Sequence, residues 1–314
     1  MNEPESKRGR PFGYVILFFF SLVFFVYLTF PYGVLKETLT TNISQSTGLV
    51  IRMKDFGPSL PLGFAAGEVS VSGGGSGDKS FGMETASLHV SLLPLLWGTL
   101  TAGLELESKN DGWLELELDF SLIDMIFDSV FLPGQVFLQA EEFDIGGLAS
   151  FFIAREGTKP GANPMVSGLL TKIDLRGHLD GGVEIDLDVD DPTRSAGNVN
   201  LLLKKAVLKV NDPSLNLPEQ RFKKALLRAS MQSGSLKVDK KSGFHTEDLK
   251  IDVSGNIQLR QKIERSTLNL LLNLKLFKTL KEQFGFMVDM SGGKDGGVAY
   301  QMRGTLGRPR VSAR

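Results

Sequence analysis

The residues of this chain with the means to do chemistry are carboxylates set in alternation and three scattered histidines. Glu184, Asp186, Asp188 and Asp190 fall at every second position, with Asp191 following. Such a row suits a hard cation, which takes oxygen ligands. On an extended strand, alternate side chains stand about 7 Å apart, too far for all four to share one ion. The spacing therefore favours a solvated face over a calcium site. Glu115 and Glu117 are the residue types of a general acid and base, but they sit in a repetitive wet stretch rather than a cleft. His89, His178 and His245 stand singly, none with a second ligand at metal spacing. The chain has no cysteine, which excludes thiolate catalysis, disulfides and thiolate metal sites. There is no nucleophile elbow and no phosphate loop; the glycines at 73–75 and 292–297 read as turns before strands. The expectation is a protein that is not an enzyme, with no catalytic residue, metal or cofactor.

Composition narrows the partners. The formal net charge is −1, from 35 basic and 36 acidic residues, so nothing points to nucleic acid. Glycine is abundant, with 35 residues, and favours many strands joined by tight turns over a helical bundle.

The stretch from Phe12 to Phe30 contains no charged residue. As a helix it reaches about 28 Å, near the hydrocarbon thickness of a bilayer. Lys7, Arg8 and Arg10 precede it, whereas the twenty residues after Phe30 carry only Lys36. This bias predicts a cytoplasmic tail over 1–11, a transmembrane helix over 12–30, and a body on the far side. A cleaved signal peptide is the alternative. The bulky sequence Tyr27-Leu28-Thr29-Phe30-Pro31 lacks the small residues such cleavage needs. Leu35, Leu39 and Ile43 then recur every four residues and predict an amphipathic connector over 31–48, ended by Gly48.

Residues 49–314 predict a mainly β body with a few short helices. Leu104 and Leu106, then Leu114, Leu116, Leu118 and Phe120, alternate with polar residues. Gly63 to Gly82 reads as loop-rich, and Ser91 to Gly98 as a connection. Ser121 to Val130 and Phe143 to Ala154 read as helices, and Glu156 to Asn163 as a loop. Ile173 to Val189 reads as a hairpin turning at Asp180-Gly181-Gly182. Val199 to Val210 is a strand, Pro213 to Leu227 a partly helical connection, and Ser235 to Lys240 a further strand. The strongest alternation follows: Leu249, Ile251, Val253, Ile257 and Leu259 on one face, then Leu268, Leu270, Leu272, Leu274 and Leu276. Phe277 to Phe284 reads as a helical turn or two. Phe286 to Met290 and Val298 to Leu306 read as the arms of a hairpin. Arg303, Arg308 and Arg310 read as a solvated tail, with contact to anionic lipid or a partner as the alternative. Together these predict a broad antiparallel meander with one apolar face, the candidate site being the leucine-rich face just named. That face either packs away as core or stays open as a lipid-accessible groove.

The order of features carries a resemblance. STG-LVIRM at Ser46 to Met53, LPLGFAAGEVSVS at Leu60 to Ser72, SLLPLLWGTLTAGLELE at Ser91 to Glu107, GFHTEDLKIDVSGNIQL at Gly243 to Leu259 and a closing YQMRGTLGRPR resemble the N protein of the bacterial type II secretion system. The chain is also similar to the wider AsmA-like group of membrane-anchored periplasmic β-proteins. The resemblance implies a single-pass inner-membrane protein with its N-terminus cytoplasmic and a periplasmic body built on a broad, curved, AsmA-like sheet. It implies an accessory role in protein secretion, with other type II secretion subunits as partners. The AsmA-like side implies instead a hydrophobic groove that handles or conducts phospholipid. No functional side chain beyond the anchor is carried over.

Overall fold

The computed structural model describes residues 10–60, 62–73, 80–91, 93–128, 131–157, 172–188, 190–212 and 217–314. Two helices lead, α1 (Arg10–Thr29) and α2 (Tyr32–Thr47). Pro31 separates them, since it donates no N–H and disfavours helix in the residue before it. Gly48 ends α2 in the left-handed region at φ 71°, its N–H donating to Ser44 O, as the sequence leads one to expect. Counted over the described residues, no helix is long and apolar enough to cross a membrane. The side chains of several α1 residues fall outside that description, as do Lys7 and Arg8.

The rest is one 16-stranded antiparallel sheet in which nearly every strand pairs with its sequence neighbours. The first run is β1 (Leu49–Ser59), β2 (Gly63–Gly73), β3 (Ser80–Ser91), β4 (Thr99–Glu107), β5 (Trp113–Ser121) and β6 (Gln135–Asp144). Two long strands follow, β7 (Ile173–Asp186) and β8 (Ala196–Val210), then β9 (Gln220–Arg221), β10 (Lys224–Gln232), β11 (Ser235–Val238) and β12 (Gly243–His245). The sheet closes with β13 (Leu249–Gln258), β14 (Thr267–Leu276), β15 (Gly297–Thr305) and β16 (Arg308–Ala313). The short β9 pairs with β8, and β12 with β10 and β13, beside the main path. The predicted meander is thus present, and it is wider than the alternation alone made visible.

Two more helices cover parts of the sheet: α3 (Gly146–Gly157) and α4 (Lys278–Met290). α3 packs on β7, β3 and β2. The first turn of α3 meets both β7 and β3: a Cβ on Gly146 would lie 3.6 Å from the Arg176 Cα, and one on Gly147 3.1 Å from the Phe81 Cα. The sheet therefore curls round α3, since flat strands four apart would lie about 19 Å from each other. Beneath it lies the main core, with Ala66, Val69, Phe81, Met83, Leu114, Ala140 and Phe143. α4 packs on β14 and β15, and Leu280 and Val288 join Leu276 and Val298 in a second core. α2 packs on β1.

Several expected elements differ. The turn at Asp180-Gly181-Gly182 does not form; β7 runs through it, bonded to β6 and β8 on its two sides. A Cβ on Gly181 would lie 2.0 Å from Asn200 O, and its φ is 109°. This glycine permits a close backbone approach within a sheet, which is a different use of the residue from turning a chain. Gly63 to Gly82 is likewise mostly strand: a Cβ on Gly63 would meet Leu88 O at 2.3 Å. Lys224 to Leu227, the end of the partly helical connection expected over Pro213 to Leu227, belongs instead to strand β10, because its neighbours on both sides offer open ladders. Phe286 to Met290 belongs to α4. Leu280, Phe284 and Val288 recur at helical spacing and bury one stripe, which overrides the hairpin reading. Of the helix expected over Phe143 to Ala154, α3 starts at Gly146, while Phe143 and Asp144 are the last two residues of β6. Of the helix expected at Ser121 to Val130, a short segment at Asp124–Asp128 is present. The expected loop at Glu156 to Asn163 runs from the end of α3 into residues outside those described. Arg308 to Ala313 is strand β16 and not a tail.

Candidate functional site

The apolar residues of the strands fall on a common face because partners across an antiparallel ladder point the same way. Leu249, Ile251, Val253 and Ile257 stand opposite Leu276, Leu274, Leu272 and Leu268. Gly255 completes the row against Leu270. On β15 the row continues through Val298, Tyr300 and Met302, and on β16 through Val311 and Ala313. In the other direction it passes through Leu236 and Val238, then Ala229 and Met231, then Val199. Val183, Leu138, Leu116, Leu104 and Leu88 carry it on to β3, and Phe64 reaches β2. The candidate face is therefore one part of a continuous apolar surface spanning the sheet. Leu259 is the exception: β13 ends at Gln258, and the Leu259 N–H donates to Gly234 O outside the strand.

Cover over this face is uneven. α3 covers part of it over β2, β3 and β7, and α4 one end of β14 and β15, while Val311 on β16 and Leu88 on β3 are exposed. Among the described residues, no helix packs comparably on β8, β10, β11 or β13. Leu268 and Leu276, at the two ends of β14, are buried, while Leu270, Leu272 and Leu274 between them are partly buried. Val199, Leu201, Leu203, Ile251, Val253 and Ile257 are partly buried as well. Leu249 and Leu274 pack on the cluster under α4, and among the described residues no helix is comparably placed over the others. The alternation marks this face and, with few helices expected, leaves open whether it packs away or stays uncovered. Val253→Asp tests this state. A fully buried, unpaired charge would cost several kcal/mol, whereas the partly buried site predicts a loss of about 1–2 kcal/mol in thermal or urea unfolding of the detergent-solubilised chain.

The opposite face carries the acids. Glu105 stands directly across from Glu115, and Asp119 from Thr101. Ser87 Oγ donates to Glu105, and Thr85 Oγ1 to Glu107 at 2.8 Å. Glu115 and Glu117 lie on this open ladder, with no cleft between them for a reacting bond. Of the four alternating carboxylates, only Glu184 and Asp186 are in β7; Asp188 and Asp190 fall beyond its end. Asp188 accepts from the Asp191 N–H at 2.8 Å, and Arg194 lies beside Asp188 and Asp191. Among the described residues no group of three or more ligating side chains could hold a metal.

The histidines remain apart. His178 Nδ1 is 3.2 Å from Glu142 O. His245 Nε2 lies 2.6 Å from Asp252 Oδ1, with Lys250 Nζ 3.0 Å from the other oxygen. Burial pushes the Asp252 carboxyl up, but the hydrogen bonds from His245 and Lys250 outweigh it and hold the group below its usual value. A histidine–aspartate pair could orient a base, yet no nucleophilic side chain among the described residues bonds to His245. The nearest approach to a hydrolytic arrangement lines a cavity of about 790 Å³ that includes Ser150, Asp174, Arg176 and His178. There the Ser150 hydroxyl donates to Asp174 at 3.1 Å rather than to His178, and Arg176 neutralises Asp174. That geometry fixes α3 to β7 and activates nothing.

The junction of α1 with the sheet was not legible. The Tyr27 hydroxyl lies 2.6 Å from Ser59 O and 2.7 Å from Gly63 O, and accepts from the Gly63 N–H at 3.2 Å. Tyr32 donates to Tyr27 O and meets Phe30, Phe56 and Phe64 edge-on. The end of α1 is thereby clamped to the β1–β2 turn. Comparison with protein-family models, with curated proteins and with solved structures gives no match to this chain.

Proposed function

We propose that this chain is a non-enzymatic, membrane-anchored component of the bacterial type II secretion apparatus, acting as a scaffold in the periplasm. Residues 12–30 hold it in the inner membrane with the N-terminus cytoplasmic. The observation that carries this reading is the clamp at Tyr27. It joins an apolar N-terminal helix to the first hairpin of a very wide sheet, so that the body is fixed to its anchor rather than strung on a loose linker. The resemblance of the sequence motifs to the secretion N protein supplies the apparatus. Partner subunits would dock on the apolar face, where partly buried leucines still have surface to bury.

A second reading is favoured by the unbroken apolar row through β8, β10, β11, β13 and β14: a surface that takes up phospholipid acyl chains, as the AsmA-like resemblance suggests. One experiment separates the two. A photo-reactive residue placed at Leu272 in living cells should capture a secretion-system protein if the scaffold reading holds. Capture of phospholipid instead would put the second reading first. Crosslinks confined to the chain itself would make that face ordinary core and remove the support for both.

A further inference from the structure

The last two strands bring together three arginines that form no ion pair among the described residues. Arg303 on β15 and Arg310 on β16 are direct partners across the ladder, and Arg308 lies two residues from Arg310 on the same face. The Arg314 N–H donates to Ala299 O, which sets the phase of the pair. In that phase Arg303 and Arg310 form a hydrogen-bonded pair, with Cα atoms about 5.5 Å apart. All three arginines are exposed, and they line one concavity of about 540 Å³ with Thr305 and Ser312. Among the described residues none of the three has an acidic partner. Some cations elsewhere in the sheet do find one: Lys54 with Glu68, Lys204 with Asp180, Lys250 with Asp252. Like charges set directly opposite each other oppose pairing. A bland account exists for part of this. β16 is an edge strand, and arginines together with Pro309, which has no N–H to offer outward, discourage edge-to-edge association. That account needs charge on the strand, but it does not need two guanidinium groups in register on adjacent strands with a hydroxyl at the rim.

We propose that Arg303, Arg308 and Arg310 form a binding site for a phosphate-bearing anion. One guanidinium fork matches one pair of oxygens. A phosphate has enough oxygens to engage two or three forks at once, and its charge removes the repulsion between Arg303 and Arg310. The site lies on the polar side of the sheet and does not depend on what covers the apolar face. The phosphate could belong to a lipid headgroup or be free in solution, and the test separates these.

The full-length chain in a non-ionic detergent is titrated by calorimetry with inorganic phosphate and with a short-chain phosphatidic acid below its micelle concentration. The wild-type chain should bind at least one of the two, with affinity falling as salt rises. R303Q/R310Q should weaken that binding by about tenfold or more, and R303K/R310K, which keeps charge but loses the fork, by less. Phosphate-dependent stabilisation in thermal melts should vanish in the glutamine variant while its melting temperature without ligand stays the same or rises, since a repulsion has been removed. Binding of the lipid analogue alone assigns a headgroup; equal binding of both assigns the phosphate group itself. No binding of either to the wild-type chain, or equal binding by the glutamine variant, overturns the proposal. Increased self-association of that variant with unchanged anion affinity would leave edge protection as the whole role.

Discussion

Phe143→Ala is expected to destabilise the folded sheet by about 3–5 kcal/mol, the range for truncating a buried phenylalanine. Phe143 is fully buried and lies where β6 changes register against β7. Glu142 beside it has φ 44°, so the strand bends there and turns the ring inward under α3. The backbone of the preceding turn is pressed close: a Cβ on Gly112 would lie 2.9 Å from the Phe143 Cα. Surroundings held this tightly cannot collapse into the space the ring leaves, which puts the cost towards the upper end. Phe127→Ala, at a side chain 79 % exposed, is the control and should change stability by no more than about 0.5 kcal/mol. Denaturant unfolding of both variants decides it. A loss below about 1 kcal/mol at Phe143 would mean that the cluster under α3 does not hold the first half of the sheet together.

The second large effect concerns the anchor. Under the proposed topology, protease added to spheroplasts should digest nearly the whole body and leave a small membrane-bound stub containing residues 12–30. Deleting residues 10–29 should move the chain from the membrane fraction to the soluble one. The body should then be less stable as well, because Tyr27 no longer bridges Ser59 and Gly63. A body protected until the membrane is dissolved would reverse the topology and with it both functional readings.

The parts of the fold that could be read in advance were those where one period ran long enough to dominate. β13 and β14 each repeat apolar residues at every second position, and their hydrogen-bonded register is the one that alternation requires. α2 was legible from Leu35, Leu39 and Ile43 and from its closing glycine. Glycine was the main source of error. At Gly48 it ends a helix, whereas at Gly181 and Gly63 it lets strands approach, and the local sequence does not distinguish these uses. Tertiary partners decided β10, whose Lys224 to Gln232 is weakly patterned but lies between β8 on one side and β11 and β12 on the other. β6 escaped notice because Phe137 and Phe143 interrupt its alternation. The candidate face was legible as residues but not as a state. Whether Leu272 is covered depends on where α3 and α4 land, and that is set by long-range packing.

The order of the strands has a consequence for how the molecule comes into being. Nearly every strand is joined to the one made just before it. Each new hairpin therefore meets a finished ladder and needs no segment that is still to be made, which keeps the entropy of loop closure small at every step. A chain threaded across a membrane from its N-terminus could deposit its sheet strand by strand, beginning at the hairpin fastened to Tyr27. The same arrangement makes length adjustable. Followed along its curve, the main path of the sheet measures about 60 Å across its strands. Adding or removing one hairpin would change that reach by about 10 Å without disturbing the pairings elsewhere, as in other proteins built by stacking neighbours in one dimension.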